Sequence, residues 1–114
     1  MQMTGLCHDG LELDSGAHVQ HAVVDAEHIA IEWDQDGDHW SIQARRTDLR
    51  GSYVGLMGCG APAVDYEYEV DLHRYESEAG SIALIGHWRF AATGESAGIL
   101  FVLRPIKAAS KTGL

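Results

Sequence analysis

The sequence predicts an all-β protein, an antiparallel meander of six to eight strands that closes into a small up-and-down barrel. Two observations predict this fold class: apolar and polar residues alternate in several segments, and short turns rich in glycine and aspartate separate those segments. No segment longer than a turn has a helical period. A β-sandwich is the alternative, but closure removes the sheet edges that invite aggregation, so we favour the barrel.

The first half of the chain contains several short strands. A strand near residues 18–24 precedes residues 27–34 and 39–47, in both of which isoleucine and tryptophan lie on one face of the strand. The turn sequence DQDGD joins the last two of these strands. Residues 52–58 form a further strand, whose glycines indicate a bulge or a close approach to a neighbouring strand.

The second half of the chain completes the meander. Alternation is clearest in residues 64–76, where aliphatic and aromatic residues occupy one face and acidic residues the other. Residues 80–91 place apolar side chains on one face around Gly86. Residues 98–106 are apolar on both faces, as expected of a strand that is covered on two sides by the N-terminal segment or by a second subunit.

Length and composition predict a single all-β domain over residues 1–114, with residues 1–16 and 107–114 loosely ordered. No apolar run approaches the roughly 20 residues that span a bilayer, so no membrane segment is expected. The opening residues carry neither a basic leader nor an apolar stretch. Cytoplasm is therefore the predicted location.

Charge and cysteine content exclude some kinds of site. The net charge of -9 opposes binding to nucleic acid, which needs a clustered basic face. Cys7 and Cys59 are expected to be free thiols. The acidic turn DQDGDH lacks the spacing of a calcium loop, and the histidines show no ligand spacing. Neither a metal nor a cofactor is expected.

The meander also predicts an electrically polar molecule. Alternate strands run in the same direction, so the strands that end near Arg46, Arg74 and Arg104 finish at one end of the barrel. Most of the basic residues gather at that end, and acidic turns lie at the opposite end. Because the inward stripes of two of these strands continue onto Arg46 and Arg74, both guanidinium groups are predicted to point toward the mouth of the barrel.

These features predict a non-enzymatic binding protein that takes an amphipathic or anionic small molecule at a basic rim. An arginine can grip a carboxylate or phosphate with two parallel hydrogen bonds. The alternative arrangement is a core filled by side chains, with the arginines directed outward or paired with Glu76 and Glu78. The predicted ligand-binding residues are Arg46, Arg74, Trp33, Trp40, Tyr66, Tyr68 and Trp88.

Two other functions stay open. One is a homo-oligomeric interaction or regulatory module with a filled core and no small-molecule ligand. His87 and Arg89 project on the face opposite Trp88 against an apolar background, which predicts a homodimer through residues 80–106. The other is a hydrolase or isomerase that uses His39 and a carboxylate such as Glu32. No geometric motif supports it, so no catalytic residue is assigned.

The sequence LRGSYVG and the last hairpin, from GSIALIGHW to GILFVL, resemble the strands of calycin-type barrels, the lipocalin and avidin relatives. The resemblance covers residues 49–106 and implies a barrel whose interior or mouth holds a small ligand. The Gly-X-Trp motif of the first lipocalin strand is absent from the N-terminus. No family site residue is therefore carried over to this chain.

Overall fold

The structure, a computed structural model, describes residues 1–106 as a closed barrel of antiparallel strands. Each strand pairs with its neighbours in sequence, and the first also pairs with the last. The predicted all-β barrel is confirmed, and the sandwich alternative is wrong. The strands are β1 (Gln2–Asp9), β2 (Ala17–Val24), β3 (His28–Gln35), β4 (Asp38–Arg46), β5 (Ser52–Cys59), β6 (Asp65–Glu76), β7 (Ile82–Phe90) and β8 (Ser96–Pro105). Within residues 1–106, no helix is long and apolar enough to cross a membrane.

The predicted strands agree with β2 to β8 to within two residues at each end, but the N-terminal strand is new. The expectation that residues 1–16 are loosely ordered is wrong for Gln2–Asp9, which form β1. This strand pairs with β2 on one side and with β8 on the other, from Met3 opposite Pro105 to Asp9 opposite Ile99. Its apolar residues are too sparse to signal a strand, and pairing on both sides stabilises it. The predicted loose tail, residues 107–114, lies outside the described residues.

Side chains fill the interior of the barrel. Nineteen buried hydrophobic residues, each at most 3% exposed, form one cluster that draws on every strand. Trp33, Tyr53 and Phe101 are the largest of them. An eight-stranded barrel encloses a space just wide enough for side chains, so these residues occupy it without leaving a wide ligand channel. The structure thus has the filled core that the sequence left as an alternative.

Strands β4, β5 and β6 show the irregularities that the glycines of β5 indicate. A Cβ atom on Gly55 would lie 2.0 Å from the backbone oxygen of Gln43, so only glycine fits at this close approach. The register between β5 and β6 shifts between Met57 and Cys59. The predicted close approach is confirmed, and the bulge lies opposite the end of β5, with its extra residue on β6.

The strand order separates two ends of the barrel, which we call the basic end and the acidic end. The turns β2–β3, β4–β5 and β6–β7 meet at the basic end, which carries Arg45, Arg46, Arg50, Arg74 and Arg104. The turns β1–β2, β3–β4, β5–β6 and β7–β8 meet at the acidic end, which carries Asp9, Asp34, Asp36, Asp38, Asp65 and Glu95. Carboxylates also occur at the basic end, among them Asp25, Glu27, Asp48 and Glu76.

Candidate functional site

A cavity of about 750 Å³ opens at the basic end, and we call it the basic-end cleft. Three arginines and one histidine contribute to its walls, against two carboxylates. Both arginines predicted to bind a ligand are among them. The lining residues are Ala26, Arg46, Thr47, Asp48, Arg50, Gly51, Tyr53, His73, Arg74 and Glu76.

Arg74 is the most firmly held cation of the cleft. One terminal nitrogen donates to the Tyr53 hydroxyl at 3.3 Å, and the other donates to the Glu76 carboxylate at 2.9 Å. Tyr53 itself is 2% exposed, and its hydroxyl donates to the backbone oxygen of Asp25 at 3.0 Å. The hydrogen bond to Tyr53, followed by that to Glu76, raises the pKa of Arg74. The guanidinium is therefore oriented before any ligand binds, although Glu76 already accepts a hydrogen bond from one of its terminal nitrogens.

Arg46 and Arg50 are less constrained. Arg46 pairs with Glu27 at 3.1 Å, and both side chains are about half exposed or more. Such a surface pair contributes about 0–1 kcal/mol, so an anionic ligand can compete with Glu27 for Arg46. Arg50 makes no salt bridge within residues 1–106. It lies in the β4–β5 turn, where Gly51 takes the positive φ of 80° that favours glycine.

The structure separates the predicted arginines from the predicted aromatic residues. Trp40, Tyr68 and Trp88 line a second cavity at the acidic end, whereas Arg46 and Arg74 lie at the basic end. The filled core stands between the two sets of side chains. The prediction that two arginines stand above an aromatic-walled interior is therefore wrong. Alternation predicts which face of a strand a residue occupies, but it does not predict how much space the barrel encloses.

The two remaining predicted residues line neither cavity. Trp33 is 2% exposed and belongs to the core, where it stacks on Trp40 with ring centroids 6.4 Å apart. Tyr66, predicted to point inward, is 40% exposed. The reason is the bulge, since Met57 pairs with Tyr68 but Cys59 pairs with Asp65. The extra residue on β6 interrupts the alternation on which the prediction of Tyr66 depends.

The cavity at the acidic end is an aromatic cup of about 170 Å³. Trp40 and Tyr68 meet at an angle of 65°, and Tyr68 and Trp88 meet at 90°, each pair with centroids 5.5 Å apart. Asp9 completes the cup and accepts a hydrogen bond from the Trp88 indole at 2.8 Å. The lining residues are Asp9, Gln35, Trp40, Met57, Tyr68 and Trp88.

His39 and Glu32, the candidate catalytic pair, do come together. The two ring nitrogens of His39 lie 2.9 Å from Glu32 and 2.7 Å from Asp34. These hydrogen bonds, that to Asp34 first, raise the pKa of His39. A ring whose nitrogens both face carboxylates is stabilised as the imidazolium, and it has no nitrogen left to activate a nucleophile. This geometry is that of an ion-pair cluster.

The cysteines are free, as predicted, and neither is activated. Cys7 is buried, which together with the charge of Asp9 raises the pKa of its thiol. Partial burial and the neighbouring carboxylates, Asp38 first among them, raise the pKa of the Cys59 thiol. Low thiolate content makes a poor nucleophile. Within the part of the chain that the structure describes, no three His, Cys, Asp or Glu side chains are grouped so as to hold a metal ion.

Sequence reasoning missed the residues that complete each cavity. His73 and Tyr53 line the basic-end cleft. Alternation in the sequence predicts which face of its strand each residue occupies, but it does not predict that the two lie in one site. Asp9 joins the aromatic cup from β1, a strand that the sequence does not predict. Its place next to Trp88 depends on barrel closure, for which no local signal exists.

The predicted placement of His87 and Arg89 on the outer face of the last hairpin is confirmed, and the homodimer through this hairpin stays a prediction. His87 and Arg89 are exposed, and they lie near Asp71 and Glu69 of the adjacent strand. Trp88 faces the opposite side and donates its indole proton to Asp9. The outer face of β8 is left partly uncovered within residues 1–106, since Val102 is 46% exposed. The N-terminal segment pairs with β8 along its edge, and its Leu11 side chain covers the outer face of β8 at Gly98 but leaves Val102 exposed.

Comparisons with models of protein families, with curated proteins and with solved structures found no match to this chain. The eight-stranded architecture is established by the strand pairing alone. The resemblance to calycin-type barrels stays a prediction.

Proposed function

We propose that this protein is a binding protein that takes an anionic small molecule in the basic-end cleft. The observation that carries the proposal is the convergence of Arg46, Arg50, Arg74 and His73 on one cavity of about 750 Å³ in a chain of net charge -9. A small β-barrel is compatible with such a role, and this use of the fold needs no catalytic group.

The proposed ligand is polar throughout. The core is filled by nineteen hydrophobic side chains, so the barrel has no channel for an apolar tail. Arg74 is already oriented by Tyr53, which lowers the entropic cost of ordering this side chain when a ligand binds. Planar carboxylates and phosphate groups match the guanidinium geometry, which favours a compact carboxylate or phosphate over an amphipathic molecule.

The test uses inorganic phosphate and citrate as probes, followed by calorimetry and by NMR shifts of the β4–β5 turn. We expect saturable binding of at least one probe, weakened roughly tenfold by Arg74→Ala and by Arg46→Ala. Arg74→Lys keeps the charge but loses the fork, and we expect an intermediate affinity. Arg89→Ala is the matched control, because Arg89 pairs with Glu69 on the outer face of the barrel. Unchanged affinity in both alanine variants would refute the proposed anchor.

A second candidate function is the homo-oligomeric module, which would use the outer face of β7 and β8. The filled core favours it, and so does a row of apolar residues across neighbouring strands. In this row Leu6 is opposite Val102, Val102 is opposite Ala83, and Ala83 is opposite Tyr75. The mass of the protein in solution tests it: a monomer at micromolar concentration would remove the homodimer.

The location of the protein stays a prediction. Cytoplasm is compatible with free thiols at Cys7 and Cys59, because disulfides are rare in that compartment.

A further inference from the structure

We propose that the aromatic cup at the acidic end binds a quaternary ammonium group. This site lies at the opposite end of the barrel from the basic-end cleft, and its occupant carries the opposite charge. It is therefore independent of the anion-binding function proposed above.

The walls of the cup fit a cation that has an apolar surface. Tyr68 meets both Trp40 and Trp88 at steep angles, so rings of differing orientation line a space of about 170 Å³. Ring faces carry negative electrostatic potential and attract a cation that lies within about 6 Å of the ring centroid. Met57 adds a further apolar contact.

The carboxylate of Asp9 supplies the countercharge. One of its oxygens accepts the Trp88 indole proton at 2.8 Å, and the other accepts the amide proton of Gln35 at 3.2 Å. Gln35 in turn accepts a hydrogen bond from Trp33 at 3.1 Å. The carboxylate is thus fixed in place by two donors and is half-buried, which strengthens its attraction for a charge in the cup.

The wider surroundings are negative as well. Asp34, Asp36, Asp38 and Asp65 lie in or next to turns of the acidic end. The pKa of Tyr68 is raised by partial burial and then by nearby carboxylates, Glu67 first among them. A negative potential at the opening of the cup raises the local concentration of cations and disfavours anions.

These features select a quaternary ammonium over other cations. A bare metal ion needs several oxygen ligands, whereas the cup offers mainly rings and one carboxylate. A primary ammonium has three N–H donors to satisfy. A quaternary ammonium has none, and its methyl groups can contact the rings while its charge faces an Asp9 side chain that is already hydrogen-bonded.

Choline and its uncharged carbon isostere are the probes, added at constant ionic strength. All three tryptophans of the chain belong to the aromatic cluster around the cup, so tryptophan fluorescence reports occupancy directly. We expect saturable binding of choline in roughly the millimolar range and at least about fivefold weaker binding of the isostere. Equal binding of the two probes, or no saturation by choline, would overturn the proposal.

Two variants locate the binding. Asp9→Asn removes the charge but keeps an oxygen that accepts the Trp88 proton, and we expect it to weaken choline binding by roughly fivefold or more. Asp71→Asn, which removes an exposed outer-face charge near His87, is the matched control and leaves binding unchanged. If Asp9→Asn does not fold by circular dichroism, Tyr68→Leu tests the ring wall, with the same loss expected. Wild-type affinity in a folded Asp9 or Tyr68 variant would refute the cup as the site.

A parallel titration with a peptide that contains trimethyllysine distinguishes the source of the ammonium group. Binding of the peptide more tightly than choline would assign the cup to a protein side chain. Binding no tighter than choline would assign it to a free small molecule. Failure of both probes would refute the site itself, whatever phosphate and citrate do at the basic-end cleft.

Discussion

Replacing Tyr53 with phenylalanine removes the hydroxyl group that connects Arg74 to the β2–β3 turn. That hydroxyl shares its proton between the backbone oxygens of Asp25 at 3.0 Å and Ala26 at 3.3 Å, and it accepts from Arg74 at 3.3 Å. The ring of Tyr53 is 2% exposed, so the variant keeps the packing of the core and loses only these polar contacts. The substitution therefore isolates the hydrogen bonds that position the guanidinium of the basic-end cleft.

The expected loss can be estimated from these contacts. A typical hydrogen bond contributes about 1 kcal/mol to the free energy of unfolding, and the contact with Arg74 contributes no more than this because it is long, at 3.3 Å. We expect Tyr53→Phe to lower the free energy of unfolding by about 1–2 kcal/mol in urea denaturation. The corresponding fall in Tm is roughly 4–12 °C. Affinity of the cleft for citrate or phosphate should fall as well, because Arg74 loses one of the hydrogen bonds that orient it and keeps the bond to Glu76.

Tyr75→Phe is the matched control for this experiment. Tyr75 is 56% exposed, so the same oxygen atom is removed where water solvates it. We expect no change in stability beyond about 0.5 kcal/mol. An equal effect of the two substitutions would refute the reasoning, since it would mean that the Tyr53 hydroxyl contributes no more than an exposed one.

Three further predictions concern other parts of the molecule. The pKa of His39 should lie above its ordinary value near 6.5 in an NMR titration. The contribution of His39 to stability should then be complete below about pH 6.5 and be lost as the pH rises through the folded-state pKa. Asp34→Asn should reduce both the pKa shift and this contribution. A His39 pKa at its ordinary value would contradict the ion-pair cluster. A thiol reagent at neutral pH should modify Cys59 slowly and Cys7 only on unfolding. Mass spectrometry with and without urea can check this. Fast labelling of Cys7 in the native protein would show that β1 is not in place. If the protein is a homodimer through β7 and β8, Val102→Asp should give a monomer by native mass spectrometry, and a dimer that survives this change would place the interface elsewhere.

Most of the strands could be predicted because their signal is local. In β3, β4 and β6 a residue and its second neighbour lie on the same face, so a buried face appears as alternation in the sequence. The same rule, combined with short turns, assigns alternate strand ends to one end of the barrel. The gathering of five arginines at one end of the barrel was predictable on that basis, whereas carboxylates occur at both ends.

The candidate sites could be predicted only in part, because a site depends on distances across strands. Arg46 and Arg74 were identified as a pair from the direction of their strands, and they do share the basic-end cleft. The space below them was not predictable, since alternation does not report whether core side chains meet at the centre. Tyr66 was misplaced because a bulge, which is set by the pairing of β5 with β6, interrupts the alternation there and leaves its side chain 40% exposed.

The sequence by itself thus determined strands β2 to β8, their meander and the end of the barrel at which most of the arginines lie, because these follow from the nearest neighbours along the chain. Only the tertiary structure decided that β1 closes the barrel, that the core is filled, and that Asp9 stands beside Trp88 although the two residues are 79 positions apart. Closure is a long-range pairing, and its register is set by the packing of all eight strands together. The contacts that make the aromatic cup therefore exist only when the whole barrel has formed.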